Sequence, residues 1–264
     1  MYDLNYVKPK STNDAVSEYQ KSTEGQYLAG GMTLIPTLKS RLSSSDLLVD
    51  LKDSNLNGIS VSGGSLNIKA MTTHSEVAAS KEVSNSIAAV SNLASQIGDH
   101  MVRNRGTIGG SVANNDPSAC YPSAILALNG TIITNKREIK ADDFFVGLFE
   151  TALDEGELIT EFSLPIPEKA SYVKFPNPAS RYAIVGVFIS KSSDNVRVAI
   201  TGAGQNGVYR SKEIEDALNN NFSSSALDGL KLDNEEMFSD IHAQSDYRAS
   251  LIVTMAKRAV TAAS

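Results

Sequence analysis

Two glycine pairs carry the chemistry that is most open to reading: Ala29-Gly30-Gly31-Met32-Thr33-Leu34 and Val102-Arg103-Asn104-Arg105-Gly106-Thr107-Ile108-Gly109-Gly110-Ser111. Glycine tolerates positive φ and has no Cβ to hold a ligand away. Successive backbone N–H groups in such a loop form a small anion-binding concavity. A single Gly-Gly pair marks an ordinary turn. Two pairs, each followed by a small hydroxyl residue (Thr33 and Ser111), point to two loops closing on one diphosphate. The common nucleotide motifs are absent: there is no Gly-x-x-x-x-Gly-Lys-Ser/Thr, and no Gly-x-Gly-x-x-Gly opening a helix after a strand.

Other reactive side chains are few. Arg103 and Arg105 flank Asn104 just before the second loop, where they would either compensate a diphosphate or anchor the loop by pairing with Asp99 or Asp116. His74 and His100 have no Ser or Cys nucleophile in a recognisable setting, so hydrogen bonding within loops is the role expected of them. Cys120 reads either as a redox thiol or as an inert buried one. Tyr182 could stack near a cofactor or pack in a core or interface.

Composition narrows the classes. The 264 residues are 41% hydrophobic with a formal net charge of -6, enough for a core and without a nucleic-acid footprint. No run of eighteen apolar residues suggests a membrane span. Met1 to Tyr6 lacks the basic-then-apolar pattern of a secretory signal, so a cytoplasmic protein is expected. One cysteine cannot form an internal disulfide or hold an iron–sulfur centre, and three histidines make a metal site improbable. Redox chemistry would need an organic cofactor, with any metal centre on another chain.

The elements that must position these loops can be read coarsely. Thr12 or Asn13 caps a helix through Tyr19, Tyr27-Leu28-Ala29 is a strand, 34–41 a helix and 47–51 a buried strand. This is a βαβ-like unit with the first glycine loop between strand and helix, where a phosphate would also meet a helix N-terminus. Ile59-Ser60-Val61 and Leu66-Asn67-Ile68 form a hairpin about Ser62-Gly63-Gly64. Helices are expected from Thr73, over 87–97 and over 122–128, then a strand over 130–133 and a turn with a short helix over 141–149. Pro165, Pro167, Pro176 and Pro178 read as a boundary. Beyond it, 182–190 and 196–201 read as strands, and 214–218 and 247–263 as helices.

With these motifs in view, the chain resembles the FAD-binding medium subunit of molybdenum hydroxylases, the carbon monoxide dehydrogenase and xanthine dehydrogenase family. The resemblance runs over nearly the whole length. It is carried by Ala29 to Pro36, Ile68 to His74, Val102 to Ser111, Asp116-Pro117-Ser118-Ala119, and Lys174 to Gly186. It implies an α+β fold: a two-part FAD-binding domain of the vanillyl-alcohol-oxidase-like (PCMH) type over 1–165, divided into 1–53 and 54–165, followed by a small α+β domain over 166–264.

It also implies a site. Ala29, Gly30, Gly31, Met32, Thr33 and Leu34, with Gly106, Thr107, Ile108, Gly109, Gly110 and Ser111, would wrap the FAD diphosphate. Ile97 and Gly98 would line the adenine or flavin edge. Asn114 to Cys120, with Asn114, Asp116 and Cys120 as the contacting residues, would run beside the flavin and ribityl chain, and Ile159 would sit near the ring. Lys174 would lie at the pyrimidine end, where a cation stabilises the reduced ring; the bland alternative is a solvated lysine. Met32 stands where related flavin oxidases often place a covalent His, so FAD is expected to be non-covalent. Cys120 stands where the family often has Asp, which removes a carboxylate acceptor.

The implied function is electron transfer. A large partner would hold the molybdenum cofactor and a small partner the iron–sulfur clusters, in a dimer of heterotrimers, with this FAD passing electrons to an external acceptor and no catalytic residue of its own required. The competing readings are a self-sufficient FAD-dependent oxidoreductase on the same fold and a cofactor-free scaffold subunit.

Overall fold

The computed structural model describes residues 1–193 and 195–263. The chain opens with strand β1 (Asn5–Val7), helix α1 (Thr12–Tyr19), strand β2 (Gln26–Leu28), helix α2 (Leu34–Lys39) and strand β3 (Leu47–Asp50). The strands form one parallel sheet in the order β1-β3-β2. Parallel neighbours require crossover connections, which α1 and α2 supply. Ser11, one residue before the expected caps, accepts a hydrogen bond from the Asp14 N–H and starts α1. Helix α2 stops short of the expected Arg41, which takes a left-handed φ of 58°. Ala15, Leu47, Val49 and Leu51 make a small core that Met71 and Leu158 complete from the following part.

A second, antiparallel sheet follows. Its hairpin, β4 (Ile59–Ser62) and β5 (Ser65–Lys69), turns at Gly63 and Gly64, both with positive φ, as a tight hairpin turn needs. Then come α3 (His74–Ala79), α4 (Lys81–Ser86), α5 (Ala88–Ser95), α6 (His100–Arg103), α7 (Ile108–Asn114) and α8 (Tyr121–Ala127). Thr73 and Glu76 form a capping box at the start of α3. Strands β6 (Thr131–Thr134) and β7 (Glu138–Lys140), helix α9 (Ala141–Phe144), a small hairpin of β8 (Phe145–Gly147) and β9 (Glu150–Thr151), and strand β10 (Ile159–Pro165) complete this part. The sheet order is β4-β5-β10-β6-β7, so the last strand inserts between β5 and β6. Leu66, Ile68, Ile132, Phe162 and Leu164 turn one face inward onto Val90, Leu93, Ile108, Val112 and Ile125 of the helices.

The remainder is a four-stranded antiparallel sheet, β11 (Lys169–Pro176), β12 (Ala183–Ser192), β13 (Asn195–Thr201) and β14 (Tyr209–Arg210), with α10 (Lys212–Asn220) and α11 (Ser245–Ala262). Both faces of β12 are buried. Val185, Val187 and Ile189 point to Ile252, Met255 and Ala256 of α11. Phe188, between them, turns the other way and joins the core of the second part with Tyr172 and Ala199. The proline-rich stretch is therefore two strands punctuated by prolines: Pro165 ends β10 and Pro176 ends β11. The mixed α+β architecture agrees with the expected fold class.

Candidate functional site

A cleft of about 510 Å³ runs past both glycine loops and ends against the third sheet. It is lined by Ala29 to Leu34, by Ile97 and Gly98, by Gly106, Thr107, Gly110 and Ser111, by Asn114, Asp116 and Cys120, and by Lys174. That volume lies in the range of small-molecule sites, roughly 300–1,000 Å³.

The first loop leaves β2 and turns at Gly31, whose φ is 71°. The backbone N–H groups of residues 30–34 have no acceptor among the described residues. Five consecutive unpaired donors lining a cleft make an anion cradle. Gly30 serves a separate purpose. A Cβ there would lie 2.1 Å from the Arg105 carbonyl oxygen and 2.7 Å from the Gly106 Cα, so the two loops cross in direct backbone contact.

The second loop differs from expectation. Thr107 caps α7 by accepting a hydrogen bond from the Gly110 N–H at 3.1 Å. The Ser111 N–H donates to the Thr107 carbonyl, the Ile108 N–H to Thr72 and the Gly109 N–H to Ala70. These four amides are therefore engaged within the protein, not bare. Ile108 and Gly109 leave the expected cofactor-contacting set: Ile108 is fully buried in the helical core, and a Cβ on Gly109 would lie 2.6 Å from the Ala70 carbonyl oxygen. Their job is to seat α7 on the end of β5. Gly110 alone turns its missing side chain to the cleft, with only Thr107 Oγ1 and the Ala29 Cβ within 4 Å of a Cβ there. Ile159 also falls outside the cleft lining, because it sits in β10 among core residues.

The basic side chains serve the loops. Arg103 donates to the carbonyls of Ile97 and Gly98 and contacts His100 Nδ1, so it anchors the backbone rather than pairing with Asp99 or Asp116. Arg105 is exposed. Lys174 Nζ donates to the Gln96 carbonyl at 2.6 Å and the Arg181 carbonyl at 3.1 Å, and lies 3.7 Å from Cys120 Sγ. It is half-buried and ties three segments of the cleft wall together, which is not the solvated lysine of the bland reading. Burial pushes the Asp116 carboxyl up from its ordinary value despite a hydrogen bond from the Ser118 N–H. Cys120 is a free, buried thiol.

Sequence reading missed Tyr27, Thr37 and Ser43 at one end of the cleft and Ser180 and Arg181 at the other, while Ser118 lies within the expected Asn114 to Cys120 run. Arg181 carries a φ of 62°, and its turn is held by Asn177 Oδ1, which accepts from the N–H groups of Ala179 and Ser180. The only signal for that turn was its Pro, Asn and Ser content. Among the described residues, no group of three or more His, Cys, Asp or Glu side chains could hold a metal ion.

A diphosphate-bearing dinucleotide fits this cleft. The unpaired amides suit an anion, a Cβ at Gly110 would project into the space it needs, and the lining extends beyond the loops on both sides. The family described as the FAD binding domain in molybdopterin dehydrogenase matches residues 2–167. The chain is 31% identical to the glyceraldehyde dehydrogenase medium chain of Sulfolobus acidocaldarius over 94% of its own length and 92% of that protein's. It is 29% identical to the nicotine 6-hydroxylase medium subunit of Paenarthrobacter nicotinovorans, with 98% and 97% of the two chains covered. A solved structure of the CO dehydrogenase from Oligotropha carboxidovorans superposes with a TM-score of 0.89 at 29% identity, covering 98% of this chain and 97% of that one. The chain thus belongs to the family of FAD-binding domains in molybdopterin dehydrogenases, as an FAD-binding medium subunit of the molybdenum hydroxylase type.

Proposed function

We propose that the cleft holds one FAD non-covalently, with the diphosphate over the loop crossing, and that the chain relays electrons within a larger complex. The observation that carries this reading is the row of unpaired amides at residues 30–34 facing the space left by Gly110. Residues 30–34 would hold the diphosphate, with Gly106, Thr107, Gly110 and Ser111 closing the opposite side. Ala29, Ile97 and Gly98 would flank it, and Asn114, Asp116, Cys120 and Lys174 would line the flavin end. Met32, half-exposed at the loop, offers no nucleophile for covalent attachment. Bound there, FAD supplies a redox couple that can accept electrons from one carrier and release them to another. The protein contributes binding, orientation and charge, with Lys174 as the cation nearest the Cys120 end of the cleft.

The partners follow from the relatives, which are medium chains or subunits of dehydrogenases and hydroxylases. A large subunit with the molybdenum cofactor would oxidise the organic substrate, and a small subunit with iron–sulfur clusters would carry electrons to this chain, in a dimer of heterotrimers. Residues 1–165 would form the FAD-binding domain and 166–264 the second domain, a division supported by the family match ending at residue 167. A cytoplasmic location is part of the same proposal. No helix among the described residues is long and apolar enough to cross a membrane.

The test is reconstitution. The purified chain should bind FAD but fail to reduce it with small organic substrates, and adding both partners should restore electron flow from substrate to a dye. If the lone chain reduced its flavin with an organic substrate as fast as the whole complex, the self-sufficient oxidoreductase would replace this reading.

A further inference from the structure

We infer that His74 is a neutral hydrogen-bond donor to the diphosphate, presenting Nε2–H where the two glycine loops cross. The inference rests on the FAD reading above and adds a residue to it.

The second loop poses a chemical problem that His74 answers. Its amides at residues 108–111 are engaged within the protein, and the Arg103 guanidinium is engaged by the carbonyls of Ile97 and Gly98. An anion held between the loops would thus find few free donors on that side. His74 starts α3 directly behind the loop, and its own N–H donates to the Gly106 carbonyl at 2.9 Å. The side chain lines the cleft and is 4% exposed.

The two ring nitrogens have different surroundings. Nδ1 is buried without a partner, and so is the hydroxyl of Tyr121, whose ring is tilted against the imidazole with centroids 5.4 Å apart. Nε2 lies on the Gly106 side, only 2.6 Å from where a Cβ on that glycine would be. Gly106 in turn lies under Gly30, so the absence of two side chains brings Nε2 up to the crossing. Among the described residues, no group accepts from either nitrogen.

Burial first, and the nearby charge of Arg103 second, lower the imidazole from its ordinary range to about 4, so at neutral pH it carries one proton. That proton has two possible seats. On Nδ1 it would be a buried N–H with no acceptor among the described residues. On Nε2 the N–H stands at the cleft lining, where water or a ligand can accept from it, and Nδ1 keeps only a bare lone pair. The second arrangement leaves no ring N–H buried without access to an acceptor. An N–H at that position has no acceptor among the described residues and suits a phosphate oxygen. Its charge also stays the same across the whole physiological range, which that of an unperturbed histidine would not.

The experiment uses the full-length chain with 15N-labelled histidine and FAD as the probe. Ring-nitrogen resonances should show His74 protonated on Nε2, and FAD should move that resonance. By equilibrium titration, His74→Leu should bind FAD about tenfold more weakly or worse. His74→Gln, whose amide N–H can reach a similar position, should recover much of the loss. Melting curves of the FAD-free variants show which of them fold, and if His74→Leu does not, the wild-type resonances decide. A proton on Nδ1, an Nε2 resonance that FAD leaves in place, or a folded His74→Leu chain that binds as tightly as wild type would overturn the inference while leaving the FAD reading intact. If the wild-type chain took up no FAD, the reading beneath it would fall instead.

Discussion

The two glycine loops look alike in sequence and work differently. The loop at residues 29–34 leaves the amides of residues 30–34 unpaired among the described residues and uses Gly30 to let another backbone pass within contact distance. The loop at 106–111 has its amides at 106 and 108–111 engaged: Thr107 takes the Gly110 N–H, and the carbonyls of Ala70 and Thr72 take those of Gly109 and Ile108. In the first loop the backbone is the group left free for a ligand. In the second it is scaffolding, and the cleft-facing features are space at Gly110 and the groups around it. A glycine pair therefore reports close approach, and only the tertiary partners decide whether a ligand or a neighbouring strand does the approaching.

Substituting the second pair separates the two uses. Gly110→Val should abolish most FAD uptake while the chain still folds, because a Cβ there would meet only Thr107 Oγ1 and the Ala29 Cβ and the branched methyls would extend into the cleft. Gly109→Ala should do the reverse. Its Cβ would press on the backbone of Ala70, costing about 1–3 kcal/mol of stability by overpacking, with FAD affinity per folded chain nearly unchanged. Flavin content by absorbance and melting temperature, measured on both variants, check the pair. Normal flavin content in a soluble Gly110→Val chain would show that this loop does not border the diphosphate.

Acid should act on the support behind the second loop. His74 titrates near 4 in the folded chain against 6.5 as its ordinary value. Above pH 6.5 it is neutral in both folded and unfolded states and costs nothing. As pH falls from 6.5 toward 4 the unfolded chain takes up the proton first, so stability is lost over that window, to a limit of about 3 kcal/mol. His74→Gln should flatten this part of the pH–stability curve in denaturant melts of the FAD-free chain, and an unchanged curve would refute the assignment.

Beyond the loops, the smallest expected effect lies at Lys174. Lys174→Met should lower the FAD reduction potential by on the order of 30 mV, equivalent to about 1.4 kcal/mol for a two-electron couple. Because the ammonium also ties the carbonyls of Gln96 and Arg181, a modest loss of FAD affinity should accompany it. Spectroelectrochemical titration of the FAD-loaded chain measures the shift, and an unchanged potential would place the cation away from the flavin.

Much of this arrangement was legible in the sequence because its signals are local. The opening strand–helix–strand unit, the Gly63-Gly64 hairpin and the apolar runs of β12 and β13 declare themselves within ten residues or so. Strands β10 and β11 did not. Ile159, Phe162 and Leu164 turn inward along β10, but polar neighbours and the prolines at 165 and 167 hid the pattern, and its place between β5 and β6 is a long-range pairing. The cleft was legible in outline, since most of the expected residues line it. Ile108, Gly109 and Ile159 were misplaced because which groups the carbonyls of Thr72 and Ala70 bind, and what β10 packs on, is set by contacts far along the chain. Family pattern reached Lys174 but not its two carbonyl partners.

The central claim is that the crossing of two glycine loops cradles FAD without a covalent bond. Equilibrium titration of the purified full-length chain with FAD, followed by acid precipitation, tests it most directly. The account predicts saturation at about one FAD per chain and complete release of the flavin into the supernatant. No saturable uptake, or flavin that stays on the precipitated polypeptide, would contradict it.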